Sequence, residues 1–234
     1  MVNVQAFKNA VSLAATQSDE FRVHPTGEGW EIVTSSREHT TLVRLLVRKD
    51  AFKDYEVWDD FAFDPEDALD ALSTAKDMMD IDISTGRMIM KSNGLRYRKK
   101  LLGLSDDPVP RIPNLDLDTQ VTMTSERLFQ LISKGEKKYG TVLMTVDGDL
   151  FTASVEDEQE MGITLEIPLT ECEILLGQAR ARYPLKNWSE FLKALPRGAP
   201  LDIQFRTDYP LIATYTTDGF EAMWMVAPHI DQED

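Results

Sequence analysis

Length, composition and charge limit what this chain can be. Its 234 residues are enough for one large or two modest domains, each with a hydrophobic core. No apolar run reaches the roughly 18 residues that a membrane span needs, so we expect no membrane partner. The formal net charge of -15 argues against a nucleic-acid binder, because such proteins normally carry a basic excess. A net value hides how the basic residues are distributed, so their positions matter.

The sequence also predicts where the protein resides. A single cysteine, Cys172, cannot form an internal disulfide. The N-terminal residues have neither the basic start nor the apolar core of a signal peptide. We therefore expect an intracellular protein, cytoplasmic and nucleoid-associated, or nuclear if the source is a eukaryote.

The first part of the chain is predicted to be two rounds of a helix followed by strands. Apolar residues at helical spacing predict a helix over residues 4–16, and strands follow at 20–24, 29–36 and 39–48. Asp64 is the predicted N-cap of a second helix, with Pro65 at its first position. Its expected buried stripe is Leu69, Leu72, Ala75 and Met79. Alternating apolar residues then predict strands at 80–84, 87–91 and 95–102.

Residues 104–118 are predicted to be an extended connector. They contain Pro108, Pro110 and Pro113, and each proline fixes its own φ and removes a backbone donor. Neither a helix nor a central strand can therefore continue through this stretch. We predict an N-terminal domain at 1–103 and a C-terminal domain at 119–234.

The same order of elements returns after the connector. A strand at 119–123 and a helix from residue 125 precede strands at 140–146, 150–155 and 162–167. A fourth helix at 185–195 precedes strands at 201–205, 211–215 and 220–226. The sequence therefore predicts an α+β fold of four βαβββ modules, with two helices on one side of antiparallel sheets in each of two similar domains.

Three stretches together resemble the DNA sliding clamps of the proliferating cell nuclear antigen family, particularly the archaeal members. They are DYPLIATYTTDGFEAMWMVAPHID at 208–231, REHTTLVRLLV at 37–47, and RIPNLDL at 111–117 in the connector. The resemblance covers essentially the whole chain in the right order. It implies the DNA-clamp fold in a homotrimeric ring, with helices lining the hole and sheets outside. Such a ring is not an enzyme; it keeps DNA polymerase and other factors on duplex DNA, and a clamp loader opens it.

The resemblance implies a basic ring lining that contacts phosphates without reading bases. The candidate DNA-facing residues are Lys8 on the first helix, Lys76 on the second, Arg127, Lys134, Lys137 and Lys138 on or after the third, and Lys186, Lys193 and Arg197 on or after the fourth. The second helix departs from the pattern, because Glu66, Asp67, Asp70 and Asp77 accompany its one lysine.

Two further sites follow from the resemblance. Partner proteins would insert a short peptide with apolar and aromatic anchors under the connector, at His39, Leu42, Val109, Ile112, Pro113, Pro210, Leu211, Met225, Ala227 and Pro228. Met225 stands where an aromatic residue is common in the family. Subunits would join through two edge strands: one at 95–102, with Arg96, Tyr97, Arg98, Lys99 and Lys100, and one at 170–176, with Glu171 and Glu173.

The residues leave other functions open. A divergent polymerase accessory factor could act as a monomer or dimer through one basic face, and the chain could be one subunit of a heteromeric ring. A nuclease that binds metal through Asp and Glu is a third alternative. His24, His39 and His229 are isolated in the sequence, however, and no phosphate-binding loop or HExxH motif is present. We therefore expect no cofactor, no metal site and no catalytic residue.

Overall fold

The computed structural model describes residues 1–18, 20–84, 86–106, 108–157, 161–168, 172–175 and 177–230. They form two compact units. The first contains Met1–Arg111 and Thr216–Ala222, and the second contains Ile112–Tyr215 and Met223–Asp234. No helix among the described residues is long and apolar enough to cross a membrane.

The chain contains four βαβββ modules, as predicted. The first two are β1 (Val2–Asn3), α1 (Val4–Ala15), β2 (Phe21–Thr26), β3 (Gly29–Ser35) and β4 (Thr41–Arg48), then β5 (Phe61–Phe63), α2 (Pro65–Ser73), β6 (Met78–Ser84), β7 (Arg87–Ser92) and β8 (Leu95–Lys100). A short 3₁₀ turn, Lys49–Ala51, follows β4.

The third module contains β9 (Thr119–Thr124), α3 (Ser125–Gly135), β10 (Thr141–Asp147), β11 (Leu150–Glu156) and β12 (Gly162–Pro168). An additional short strand, β13 (Glu173–Leu175), precedes the fourth module. That module contains β14 (Ala179–Pro184), α4 (Leu185–Ala194), β15 (Pro200–Phe205), β16 (Leu211–Thr217) and β17 (Phe220–Val226).

The two modules of each unit exchange their first strands. In the first unit, β1 pairs with β6 of the second module, and β5 of the second module pairs with β2. In the second unit, β9 pairs with β15 and β14 pairs with β10. All four pairings are antiparallel. Neither module of a unit can therefore complete its sheet without the other.

Apolar side chains of the helices and strands form a separate aromatic core in each unit. In the first unit, the Phe7 ring of α1 lies 5.6 Å from the Trp30 ring and 6.4 Å from the Phe21 ring, measured between centroids. In the second unit, the Trp188 and Trp224 rings lie 4.8 Å apart. Along β4 alternate residues are buried, from Thr41 to Val47, so this sheet packs one face against the core.

Local signals explain where several elements begin and turn. The Asp64 carboxylate accepts a hydrogen bond from the Glu66 amide at 2.8 Å, which confirms the predicted N-cap of α2. Asn93 and Gly94 have φ values of 51° and 77° in the tight turn between β7 and β8. Positive φ at both central residues is the geometry that an Asn-Gly hairpin turn favours.

The predicted length of the second helix is wrong. α2 ends at Ser73, and its buried residues are Pro65, Ala68, Ala71 and Leu72. Ala75 follows the helix, and Met79 belongs to β6. The amide of Thr74 donates to the Leu72 carbonyl and ends the helix, and Asp77 then adopts a φ of 41°. This tight reversal, not the apolar spacing, determines where the helix stops.

We predict that the N-cap contributes measurably to stability. Asp64→Ala removes the bond to the Glu66 amide and should lower the free energy of unfolding by about 1 kcal/mol. Thr124→Ala is a matched control, because Thr124 is the N-cap of α3 but makes no side-chain capping bond. Urea unfolding followed by circular dichroism measures both changes, and equal losses for the two variants would contradict the prediction.

Candidate functional site

The helices of the second unit carry a basic surface. α3 contacts α4, and segments 125–138 and 185–197 together contain seven basic residues against three acidic ones. Arg127 is half-buried, and the others are exposed: Lys134, Lys137, Lys138, Lys186, Lys193 and Arg197. A surface of this kind can contact the phosphates of nucleic acid without base recognition.

One ion pair joins the two helices of this surface. The Lys193 Nζ of α4 donates to both carboxylate oxygens of Glu136, just after α3, at 2.8 Å. This hydrogen bond from Lys193 is the main cause that holds the pKa of Glu136 below its ordinary value. Lys193 therefore already has an acidic partner within the unit.

Two other lysines of the surface also lie near acids. The Lys138 Nζ is 3.8 Å from Asp157 and the Lys186 Nζ is 3.8 Å from Glu190. Lys138 also donates to the Tyr139 hydroxyl, which raises the pKa of that lysine. Three exposed cations have no carboxylate within 4.0 Å in the part of the chain that the structure describes: Lys134, Lys137 and Arg197.

The helices of the first unit are not basic in the same way. Lys8 is exposed on α1. Lys76, predicted to lie on the second helix, instead lies in the turn after it, because α2 ends at Ser73. Segments 4–16 and 65–77 together contain two basic residues against four acidic ones. The basic lining that the sequence suggests is therefore concentrated in the second unit.

The strand predicted to join subunits is an open edge. β8 ends the four-stranded sheet β1-β6-β7-β8 and, among the described strands, pairs only with β7. Its side chains alternate between two faces. Tyr97 and Lys99 are half-buried, and Arg96, Arg98 and Lys100 are exposed.

Contacts with α2 fix the half-buried face of β8. The Lys99 Nζ lies 2.7 Å from Asp67 and 3.9 Å from Asp70. The hydrogen bond with Asp67 is the main cause of a raised pKa for Lys99. The Tyr97 and Thr74 hydroxyls are 2.8 Å apart. Lys99, predicted to contact another subunit, therefore already has partners in its own unit.

Arg87 and Lys91, two basic residues of β7 that the sequence analysis missed, lie on the exposed face shared with β8. Arg87 lies opposite Lys100, and Lys91 lies opposite Arg96. Like charges directly opposite each other destabilise a sheet, so an anionic surface bound to this face would relieve the repulsion. Arg87, Ile89 and Lys91 alternate along β7, and this spacing could have placed them on one face of the strand.

β12 and β13 of the second unit each lie at one end of a sheet among the described strands. In the described part of the chain, β13 pairs only with β9, and Glu173 on it is exposed. The predicted interface residue Glu171 lies outside the described residues. Among the strands that the structure describes, β12 pairs only with β11. It exposes Ile163, and Met161, two residues earlier, is 66% exposed. Sequence analysis considered β13 and overlooked β12.

The predicted peptide-binding residues of the first unit lie at or near a groove. This groove of about 500 Å³ is lined by Pro108 and Pro110 of the connector and by residues from the ends of β2 and β3, with His39. Val109 is 45% exposed on the connector, and Leu42 is half-buried on β4. Arg22 donates to the Ser105 carbonyl at 3.4 Å and holds the start of the connector.

The other predicted peptide-binding residues belong to the second unit. Ile112 is 40% exposed, while Leu211 and Met225 are buried. The remaining residues range from exposed to half-buried: Pro113, Pro210, Ala227 and Pro228. Arg206 lies 3.3 Å from Asp116 and holds the end of the connector. Leu211 and Met225 therefore belong to the core of this unit, and the apolar connector residues are available to a ligand.

No group of three or more His, Cys, Asp or Glu side chains is arranged to hold a metal ion in the residues that the structure describes. The isolated histidines of the sequence do not become a cluster in the fold.

Comparisons with known proteins identify relatives along the whole chain, although no protein-family model matches it. The chain is 23% identical to the DNA polymerase sliding clamp of Methanocella arvoryzae, over 99% of this chain and 98% of the relative. It is also 23% identical to the clamp of Methanothrix thermoacetophila, over 100% and 98%. The chain is therefore similar to DNA polymerase sliding clamps over its whole length.

Solved structures agree with this assignment at the level of the fold. Archaeoglobus fulgidus PCNA, in its complex with the C-terminal region of FEN-1, has a TM-score of 0.89 and 20% identity, and 99% of this chain and 98% of that one are covered. PCNA from Thermococcus kodakaraensis has a TM-score of 0.85 and 16% identity, with 97% of each chain covered.

We predict that the Glu136–Lys193 pair makes a pH-dependent contribution to the stability of this protein. The pKa of Glu136 in the folded state lies below its ordinary value of 4.5. The stabilisation is therefore complete above that value and is lost as the pH falls through the folded-state pKa. Glu136→Gln should lower the free energy of unfolding at pH 7 by less than about 1 kcal/mol, and by less still as the pH falls toward 3.

Urea unfolding at a series of pH values measures this effect. Lys193→Met removes the basic partner of the same pair. The loss of unfolding free energy that it causes should become smaller over the same pH range. A difference between Glu136→Gln and the unaltered protein that stays constant from pH 7 to pH 3 would contradict the prediction.

Proposed function

We propose that this protein is a DNA sliding clamp: three copies form a closed ring around duplex DNA and hold DNA polymerase and other proteins on it. The relation to archaeal DNA polymerase sliding clamps over the full length of the chain carries the proposal. The basic surface of α3 and α4, on a chain with a net charge of -15, supports it.

The chemistry of the basic surface suits sliding. Lys134, Lys137 and Arg197 are exposed and have no carboxylate within 4.0 Å among the described residues. Flexible lysine side chains act as point charges and do not impose one geometry on a phosphate. Contacts of this kind give affinity without sequence preference, and they exchange easily from one phosphate to the next.

Partner proteins would dock at the connector. In a solved complex, Archaeoglobus fulgidus PCNA binds the C-terminal region of FEN-1. In the first unit, Val109 is exposed on the connector beside the groove lined by Pro108, Pro110 and His39, and it would offer a similar peptide an apolar contact. DNA polymerase and the clamp loader are the expected partners here.

Subunits would join head to tail. The basic edge strand β8 of one copy would pair with an open edge of the second unit of the next copy, where Glu166 on β12 and Glu173 on β13 are exposed. Two different surfaces that join in this way close into a ring when the rotation fits. A heteromeric ring is the second candidate, because a solved relative from Sulfolobus tokodaii is a complex of PCNA2 with PCNA3.

The protein would have no enzymatic activity of its own. Its role is topological, because a closed ring stays on DNA without gripping a sequence. We place it in the cytoplasm with the nucleoid, or in the nucleus of a eukaryotic cell.

Assembly provides the first test of the function. Light scattering should give a mass three times the chain mass of 26.5 kDa, and the protein with its loader should increase DNA synthesis by its polymerase on primed circular DNA. Linear DNA with free ends should retain fewer clamps than closed circles. A monomer at every concentration and salt, with no stimulation, would overturn the ring; an oligomer that forms only with a paralogous chain would favour the heteromer.

Charge substitutions provide the second test. Lys134→Glu combined with Lys137→Glu should weaken binding to duplex DNA at low salt by about tenfold or more. It should also flatten the salt dependence, by roughly 0.9 in slope for each phosphate that the variant no longer neutralises. Lys53→Glu is the control, because Lys53 is also exposed but lies outside the helices. Fluorescence anisotropy at several salt concentrations measures both. If Lys53→Glu lost as much affinity for DNA, a DNA-facing role for Lys134 and Lys137 would be contradicted.

A further inference from the structure

The acidic character of α2 needs an explanation in a protein that would encircle DNA. Its nine residues include Glu66, Asp67 and Asp70 and contain no basic residue. A DNA-lining helix with this charge would repel phosphates. The contacts of α2 with β8 indicate a different purpose for this helix.

Three contacts tie α2 and its C-cap to the hairpin that ends in β8. Near the N-terminus of α2, Asp67 Oδ1 accepts from the Lys99 Nζ at 2.7 Å. At the C-cap, the Thr74 hydroxyl lies 2.8 Å from the Tyr97 hydroxyl, and the Thr74 carbonyl accepts from the Asn93 side-chain amide at 2.8 Å. The helix is therefore attached at both ends to one face of the hairpin.

These contacts oppose a repulsion on the other face of the same hairpin. There, Arg87 lies opposite Lys100 and Lys91 lies opposite Arg96, and such like-charge pairs weaken the pairing of β7 with β8. β8 has no second strand beside it among the described residues. Contacts with α2 are consequently the main side-chain support that the structure provides for this edge strand.

We propose that Asp67 and Thr74 are positioning residues for subunit assembly. They hold β8 in the extended form that pairs with a second copy of this chain. The inference rests on the proposed function, since it concerns the ring that the function requires. It assigns the carboxylate of Asp67 to the subunit edge rather than to DNA.

Preorganisation is the physical reason for the effect. A strand that is ordered before binding loses less conformational freedom when it pairs. The complex then has a higher affinity even though its contacts are the same. Without Asp67, the Lys99 ammonium adds another cation to a strand that already carries three, and β8 frays from β7 more often. A frayed β8 pairs less tightly with the edge strand of a second copy.

The test compares three single substitutions in the full-length protein. Asp67→Asn removes the charge that holds Lys99, and Thr74→Val removes the hydroxyl that faces Tyr97 but keeps the side-chain shape. Glu66→Gln is the matched control: it removes the same charge from the same helical turn, but Glu66 is exposed and has no ion pair among the described residues. The dissociation constant of the oligomer is measured by analytical ultracentrifugation at low salt and at 1 M salt.

Asp67→Asn should raise the dissociation constant by roughly two- to fivefold for each interface at low salt. The increase should disappear near 1 M salt, where the screening length is about 3 Å. Thr74→Val should raise it at both salt concentrations, because a hydrogen bond between neutral hydroxyls is not screened. Glu66→Gln should leave it unchanged. Exchanging the charges, with Asp67→Lys and Lys99→Asp together, should restore much of the assembly at low salt.

The outcomes separate this inference from the proposed function. If the unaltered protein assembles and Asp67→Asn and Thr74→Val assemble equally well, the positioning role is overturned and the ring stands. If Glu66→Gln weakens assembly as much as Asp67→Asn, the effect belongs to the overall charge of α2, and the inference also fails. If the unaltered protein never assembles, the proposed ring itself is wrong.

Discussion

Exchange of first strands between neighbouring modules is the constraint on which each unit depends. β1 completes the sheet of β6, and β5 completes the sheet that contains β2; β9 and β14 do the same in the second unit. Each module supplies a strand whose backbone hydrogen-bonds to a strand of the other module. The modules therefore cannot separate without exposing unpaired strand edges. The exchange also brings the helices together in pairs, α1 with α2 and α3 with α4.

The two helix pairs differ in charge: α3 and α4 carry a basic surface, and α2 is acidic. The acidic excess of the chain hides two basic surfaces, one on α3 and α4 and one on the outer face of β7 and β8. The acids of α2 lie beside the second of these surfaces, where Asp67 binds Lys99. The two basic surfaces are exposed, so binding of an anionic partner at either one should weaken as the salt concentration rises.

Much of the fold could be predicted from sequence because its signals are local. Apolar spacing predicted the helices, and Asp64 was identified as an N-cap from its own chemistry. β1 and β5 were missed because strands of two and three residues show no periodicity. β14 was missed although alanine and arginine alternate at its start. The pairing of Asp67 with Lys99 joins residues far apart in the chain, so only the folded structure could reveal why α2 is acidic.

The exchanged strands also affect how the protein emerges from the ribosome. Val2 pairs with Met79, so the ladder between β1 and β6 cannot form until most of its unit has been synthesised. At about 5–20 residues per second, that interval lasts roughly 4 to 16 seconds. During this time the nascent chain carries an incomplete sheet, and folding of each half must await its second module.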